Sequence, residues 1–178
     1  DLMVRHWDYW DDGSYRHIFT GEIVDGKLVN IKDITGADAE YDTPLAPFFD
    51  GSEIAWHPLS NHIAYTCKPL TGTKYAVSTD SDIFIYDLAS GKTENICKGN
   101  NEYPFVGYDK YPVWSPSGKK IAFRSQRRPG NEADQQRLWV YDLDTDECTY
   151  ITRGQDYCVT EVAWDGNEAM YFVLPWRG

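Results

Sequence analysis

The sequence predicts an all-β fold of short antiparallel strands, and three observations support this. Tyr and Trp, which favour strands, are abundant in the 178 residues. Apolar and polar residues alternate in several short runs, and strong helical periodicity is absent. Most informative is a repeat: EIAWHPLSNHIAYTCK at 53–68 returns as VWSPSGKKIAFRSQ at 113–126. The chain therefore contains at least two copies of one β-rich unit.

Each copy extends into four predicted strands. In the first copy the strands are Glu53–Trp56, His62–Cys67, Asp82–Asp87 and Lys92–Cys97. In the second copy they are Tyr111–Trp114, Lys119–Ser125, Arg137–Asp142 and Glu147–Thr152. The matched Trp56 and Trp114 are 58 residues apart, and the matched Asp87 and Asp142 are 55 apart. We expect both pairs to occupy equivalent positions.

Incomplete units flank the two full copies. Residues 17–35 predict the last two strands of a preceding unit, joined by the hairpin signal Asp25-Gly26. Residues 161–173 begin a third copy, with Trp164 in the Trp position. In DIFIYD (82–87) both strand faces are apolar, as expected of a sheet packed between two neighbouring sheets.

Stacked four-stranded units of roughly 50 residues are the blades of β-propellers. The prediction is one propeller fragment over 1–178, with the end of a blade at 17–35, full blades at 53–97 and 111–152, and the start of another at 161–173. About four to eight blades close a ring. We therefore expect a piece of a larger protein, as the start at Asp1 rather than Met also suggests, or self-association through open blade edges.

Composition excludes some functions. A net charge of −11 argues against nucleic-acid binding, which depends on clustered Lys and Arg. No apolar run approaches the roughly 20 residues that span a bilayer, so no membrane contact is predicted. One basic cluster, Arg124, Arg127 and Arg128, lies beside Glu132 and Asp134 and is interpreted as a solvated loop.

No metal or cofactor is predicted. The cysteines have no metal-ligand spacing, and their redox state stays open: Cys67, Cys97, Cys148 and Cys158. DLDTDE at 142–147 resembles the start of a calcium loop, which requires Gly at its sixth and Glu at its twelfth position. Those positions hold Glu147 and Arg153, so we interpret the segment as a polar turn between strands.

The motifs WSPSGKKIAFRSQ and RLWVYDLDTDECTYIT resemble the blade repeat of TolB-like, WD40-like propellers, which runs Trp-Ser-Pro-Asp-Gly-Lys, Ile-Ala-Phe, Leu-x-Val-x-Asp-Leu and Leu/Ile-Thr. The opening DLMVRHWDYWDDGSYRHIF narrows the resemblance. It is similar to propellers of the prolyl oligopeptidase family of serine peptidases, in the dipeptidyl-peptidase-5-like and acylaminoacyl-peptidase-like branch. The resemblance covers essentially the whole chain.

In that family a propeller caps a C-terminal α/β-hydrolase domain, which carries a Ser-His-Asp triad, and restricts entry to short peptides. The resemblance thus implies a hydrolase domain and a peptide substrate as partners. It also implies a periplasmic or secreted parent, and a cytoplasmic one is compatible. The chain itself has no G-x-S-x-G nucleophile motif, so we expect it to be non-catalytic. The alternative is a stand-alone TolB-like propeller that mediates protein–protein interaction.

The segment RHWDYWDD supplies the candidate substrate-binding residues, which are Arg5, His6, Trp7, Asp8 and Trp10. The arginine suits a peptide carbonyl, an acid suits a free amine, and an indole suits an apolar side chain. In the alternative interpretation this segment forms the first strands of the incomplete blade, with its aromatic rings buried.

A second aromatic segment joins the two full copies. Tyr103, Phe105, Tyr108 and Tyr111 either line a ligand site at the mouth of the propeller or cover the rim of the adjoining blades. His57 follows Trp56 where Ser115 follows Trp114, so it is interpreted as a turn residue and not as a ligand.

Overall fold

The computed structural model describes residues 5–6, 9–10, 12–45 and 50–176. The chain begins with a two-stranded ladder of β1 (Arg5–His6) and β2 (Tyr9–Trp10). An antiparallel hairpin of β3 (Phe19–Val24) and β4 (Lys27–Asp33) follows. Its turn residues Asp25 and Gly26 both have positive φ, 50° and 72°, as a two-residue type I′ turn requires.

The first four-stranded sheet is antiparallel, and its strands pair in chain order. A single 3-10 turn, Gly51–Glu53, leads into it. Its strands are β5 (Ile54–Trp56), β6 (His62–Cys67), β7 (Asp82–Asp87) and β8 (Thr93–Asn95). The six-residue helix α1 (Gly72–Val77) lies in the connection between β6 and β7.

The second four-stranded sheet has the same topology. Its strands are β9 (Asp109–Trp114), β10 (Lys120–Ser125), β11 (Arg137–Asp142) and β12 (Glu147–Tyr150). The last hairpin consists of β13 (Glu161–Asp165) and β14 (Ala169–Val173). No described helix is long and apolar enough to cross a membrane.

The predicted fold class is confirmed: the chain is all-β, with two four-stranded antiparallel sheets among the described residues and no ring closed by them. Two details differ from the sequence prediction. The predicted loop between β6 and β7 contains α1, a single short turn of helix with no buried residue. Strand ends also shift by one or two residues, and β9 begins at Asp109 where Tyr111 was predicted. The extra residues bring Asp109 and Lys110 into the sheet, where both contribute to the site described below.

Both faces of each central strand are buried, as predicted. Ile83 and Ile85 of β7 belong to a core cluster shared with the second sheet, which contributes Phe123. Tyr86, on the opposite face of β7, belongs to a separate cluster with Ile18, which flanks the first hairpin. Alternating side chains point to opposite faces of a strand. Each sheet therefore forms a wall for two hydrophobic layers.

A tryptophan hydrogen bond recurs from one unit to the next. The indole N–H of Trp114 donates to the carbonyl of Ala55, 3.0 Å away. The indole N–H of Trp164 donates in the same way to the carbonyl of Val113, also at 3.0 Å. Each acceptor is the residue just before the preceding tryptophan. The repeat in sequence thus corresponds to a repeated contact between first strands.

The matched aspartates are also equivalent. Asp87 Oδ1 accepts hydrogen bonds from the backbone N–H groups of Ala89 and Ser90, both at 2.8 Å. Asp142 Oδ1 accepts from the two corresponding N–H groups of its own turn, at 2.9 and 3.3 Å. Each aspartate therefore closes the turn between the third and fourth strands of its sheet.

The matched tryptophans share a position but not an environment. Trp56 pairs with Ile63 as Trp114 pairs with Ile121, so the register is the same. Trp56 is nevertheless 51% exposed and Trp114 only 7%. Trp114 packs on β5, the first strand of the sheet before it. The two tryptophans therefore occupy equivalent positions, as expected, but have different surroundings.

His57 is a turn residue, as predicted, and it also joins the two sheets. Its Nδ1 accepts from the Leu59 N–H at 3.0 Å, so the proton lies on Nε2, which donates to the carbonyl of Gly118 at 3.1 Å. The imidazole meets the Trp114 ring edge-on, with centroids 4.6 Å apart. Burial lowers the pKa of His57, which favours this neutral form.

Gly118 is required where it stands. Its φ of 73° lies in the left-handed region, and a Cβ at this position would overlap the imidazole of His57. Gly154 has a similar φ of 79°, but a Cβ there would meet nothing within 4 Å. Comparing substitutions at the two glycines therefore separates the cost of left-handed backbone strain from the cost of steric overlap.

We predict that Gly118→Ala destabilises the protein more than Gly154→Ala. The Gly154 variant acquires only left-handed backbone strain, about 1–2 kcal/mol. The Gly118 variant adds overpacking at the sheet junction, a further ~1–3 kcal/mol. Chemical denaturation of both variants measures the difference. Equal losses of stability would show that His57 does not pack against Gly118.

Candidate functional site

A pocket of about 160 Å³ opens where β9 begins and β10 ends. It is roofed by the loop 126–136 that connects β10 to β11. Its lining residues are Leu45, Tyr108, Lys110, Tyr111, Arg124, Gln126, Glu132 and Gln136. Pockets for drug-sized ligands are usually about 300–1,000 Å³. This one has the size for a single side chain or the end of a peptide.

A β-bulge shapes the floor of the pocket. The register shifts between Ala122, which pairs with Val113, and Arg124, which pairs with Lys110, so β9 carries one extra residue. Within this bulge Tyr111 has a φ of 61°, which is unusual for a residue other than glycine. Bulges re-aim side chains beside functional sites. Here the bulge brings Lys110, Tyr111 and Arg124 to one wall.

The two cations of this wall lie directly across from each other on neighbouring strands. Like charges in that position repel, so each needs a compensating contact. Lys110 Nζ lies 2.8 Å from Oε1 of Glu53, whose side chain is fully buried. The Arg124 guanidinium lies 3.7 Å from the centroid of the Tyr111 ring and donates to the carbonyl of Thr160.

The mouth of the pocket carries an acidic group. The Tyr108 hydroxyl donates to Glu132 Oε1 at 3.2 Å. Burial raises the pKa of Tyr108 to about 12, so this hydroxyl keeps its proton at neutral pH. Burial lowers the pKa of Arg124, whose charge still persists at neutral pH. A cationic floor with an acidic rim suits a polar chain end, the carbonyl or carboxylate facing the cations.

Asp134 holds the roof of the pocket in place. Its carboxylate is 3% exposed and accepts from the N–H groups of Arg127 and Arg128 at 2.8 and 3.0 Å. It also accepts from the side chains of Arg128 and Arg137 at 2.9 and 3.0 Å. Burial alone would raise the pKa of Asp134, but these hydrogen bonds outweigh burial and lower it.

The interpretation of this region as a solvated loop is therefore wrong for two of its residues. Arg127 and Arg128 are exposed, as expected. Arg124 is half-buried against Tyr111, and Asp134 is buried among cationic and N–H donors. A run of charges gives no signal of which carboxylate turns inward, since that depends on how the loop folds back on itself.

In the aromatic segment that joins the two full copies, two residues are buried between the sheets and two line the pocket. Tyr103 and Phe105 are buried in the core cluster between the two sheets. Tyr108 and Tyr111 line the pocket. Sequence reasoning did not identify Lys110, whose role depends on a bulge that no spacing rule shows.

The candidate residues of the opening segment fall at the edge of what the structure describes. Arg5 and His6 form β1, and Trp10 belongs to β2, with Arg5 paired to Trp10 in the ladder. Trp7 and Asp8 lie outside the described residues. Their part in substrate binding stays a prediction.

One group of side chains has the composition of a metal site. Ligand atoms of Asp82, Cys97 and Asp109 all lie within 4.8 Å of one another. Cys97 is buried, and all four cysteines are unpaired. These residues come from β7, the segment after β8 and the start of β9. The cysteine spacing in sequence could not reveal the site, because only the sheet junction brings the three together.

By its architecture, the chain is an open stack of propeller-type sheets. No protein-family model matches it. Among curated proteins, it is 39% identical over 174 residues to dipeptidyl-peptidase 5 of Porphyromonas gingivalis and 37% identical over 140 residues to that of Porphyromonas endodontalis. These alignments cover 97% and 79% of this chain but 24% and 19% of the relatives. The chain thus spans about a quarter of the length of the Porphyromonas gingivalis protein.

Solved structures of TolB proteins are also similar. TolB from Acinetobacter baumannii matches with a TM-score of 0.41 and 24% identity, over 60% of this chain and 23% of that one. A TolB-like protein of Agrobacterium tumefaciens matches with a TM-score of 0.49 and 21% identity, over 88% of this chain and 50% of that one. The chain is homologous, over nearly its whole length, to a segment of the dipeptidyl-peptidase 5 proteins. The resemblance that the sequence indicates is confirmed.

We predict that Asp134→Asn destabilises the protein by about 2–4 kcal/mol at neutral pH, because several charged donors lose a buried acceptor. The folded-state pKa is lowered, so the stabilisation is present above the ordinary Asp range near pH 4 and is lost as pH falls below it. Denaturation curves at neutral and acidic pH measure both effects.

Asp144→Asn is the matched control, because Asp144 forms an exposed pair with Lys119. Exposed pairs contribute about 0–1 kcal/mol. If the two variants lose equal stability at neutral pH, or if the Asp134 difference persists unchanged in acid, the assigned role of Asp134 is wrong.

Proposed function

We propose that the chain is the propeller segment of a serine exopeptidase of the dipeptidyl-peptidase-5 type, within the prolyl oligopeptidase family. In this proposal the segment is a non-catalytic scaffold and gate that admits short peptides to a C-terminal α/β-hydrolase domain. The observation that carries the proposal is the 39% identity to dipeptidyl-peptidase 5 over 97% of the chain. The parent is assigned to the periplasm or the exterior of the cell.

Exposed apolar faces at both ends of the stack support a larger parent. On the first hairpin Phe19, Ile23 and Leu28 are 60%, 79% and 61% exposed. On the last hairpin Tyr171 is 67% exposed, and Trp176 beyond it is 71% exposed. A blade cannot leave such a face in water, so further blades of the same chain are the natural cover. Self-association would cover the same faces.

The pocket supports a role in handling the substrate. Its cationic floor lies among the connections 96–108 and 126–136, at one end of both sheets. We assign Arg124 and Lys110 to a carbonyl or carboxylate of a short peptide, with the pocket adjoining the peptide path to the hydrolase. Arg5 and Asp8 are assigned to the same path, as the sequence predicts.

The parent reading frame tests the proposal. We expect an export signal before this segment, and further blades followed by a G-x-S-x-G motif after it. Replacing that serine by alanine should abolish release of dipeptides by the full-length protein. A frame that ends without a hydrolase domain would contradict the peptidase assignment and favour an interaction propeller covered by a second copy.

Substitutions in the full-length protein test the pocket. Arg124→Met should raise KM for peptide substrates about 10-fold or more, since a charge-assisted hydrogen bond contributes about 1.5–3 kcal/mol. Arg5→Ala and Asp8→Ala should also raise KM. Lys119→Met is the control, because this exposed cation lies in the β9–β10 turn at the opposite end of the sheet. If Arg124→Met and Lys119→Met have the same KM as the unsubstituted enzyme, the pocket does not bind the substrate.

A further inference from the structure

Three potential metal ligands meet at the junction of the two central sheets. Asp82 is the first residue of β7, Cys97 follows the end of β8, and Asp109 is the first residue of β9. Their ligand atoms lie within 4.8 Å of one another. A parallel bridge between Ser81 and Tyr108 fixes this junction, and the Asp109 N–H donates to the Ser81 carbonyl at 2.9 Å.

The environment of Asp109 indicates a bound ligand. Its side chain is fully buried, and neither carboxylate oxygen has a hydrogen-bond partner among the described residues. Ser125 and Cys97 lie beside the carboxyl group, but the Ser125 hydroxyl pairs with that of Tyr103 at 2.9 Å. A buried carboxylate without donors is strongly disfavoured, so it must hold either a proton or a cation.

A neighbouring residue orients the other two ligands. Asn95 Nδ2 donates to Asp82 Oδ2 at 2.7 Å, and Asn95 Oδ1 accepts from the Cys97 N–H at 2.8 Å. The Ile83 N–H donates to the Cys97 sulfur at 3.3 Å, a contact that favours a thiolate. Such outer contacts fix metal ligands in known sites.

The charges around the cluster favour a cation. Asp80 lies close enough to add its negative field to that of Asp82 and Asp109, and its own Oδ1 is buried without a partner. Neither oxygen of Asp109 accepts a hydrogen bond from a lysine or arginine side chain among the described residues.

We propose that Asp82, Cys97 and Asp109 bind a zinc ion that joins the first sheet to the second. One thiolate with two carboxylates is a donor set for Zn²⁺, whereas Ca²⁺ and Mg²⁺ take oxygen ligands. Around tetrahedral zinc the sulfur and oxygen ligands lie about 3.5 Å apart. The present separations of up to 4.8 Å therefore close on binding, and a water completes the coordination.

The test uses full-length protein that has been stripped with a chelator and then titrated with Zn²⁺ or Co²⁺. We expect one metal equivalent per chain at this site, a rise in Tm on adding Zn²⁺, and a near-ultraviolet thiolate-to-cobalt charge-transfer band with Co²⁺. Asp109→Asn should lower the affinity at least 10-fold and remove the rise in Tm. Cys97→Ser should remove the cobalt band.

Cys148→Ser is the matched control, because that nearby thiol instead faces the carbonyl of Ile96. It should retain the metal, the band and the shift in Tm. Circular dichroism without metal identifies any variant that fails to fold. If Asp109→Asn or Cys97→Ser fails to fold, Asp82→Asn takes its place, because Asp82 is the partly exposed ligand. The proposal is overturned if Zn²⁺ does not raise the Tm of the unsubstituted protein, or if Cys148→Ser loses the cobalt band as Cys97→Ser does. The first of these results would mean that Asp109 is simply protonated.

Discussion

Each central sheet has two apolar faces, and neither face can be left in water. Ile83 and Tyr86, on opposite faces of β7, belong to two different hydrophobic layers, so the sheet has no solvent side. Each apolar face is covered only when a neighbouring sheet packs against it. The hydrogen bonds donated by Trp114 and Trp164 restrict the rotation of one sheet against the next, because an indole N–H donates well only within a narrow range of angles.

The two ends of the stack differ in chemistry. One end carries the tight turns, where His57 contacts Gly118 and Asp87 closes the turn between β7 and β8. These contacts are local or join adjacent turns. The other end carries the long connections, and there the structure buries Glu53 and Asp109 at strand starts. Burying ionisable groups costs stability, and this cost is concentrated at the end of the sheets where the pocket opens.

Much of the fold follows from short-range pattern. Alternation in DIFIYD predicted the faces of β7 correctly, and the Trp position predicted equal register for Trp56 and Trp114. These features follow from the two-residue period of a strand, which any sequence displays directly. The site was less predictable. Arg124 was assigned to a solvated loop, because nothing in a run of basic residues shows that a bulge across the sheet places a tyrosine ring beneath it.

The sequence by itself determined the strand-rich repeat, the turns at its glycines and the two-faced character of its sheets. These depend on residues a few positions apart. Only the tertiary structure decided the exposure of Trp56, the inward turn of Asp134 and the meeting of Asp82 with Cys97 and Asp109. Each of these depends on groups from different strands or sheets, and their distance is set by how the sheets stack and not by their spacing along the chain.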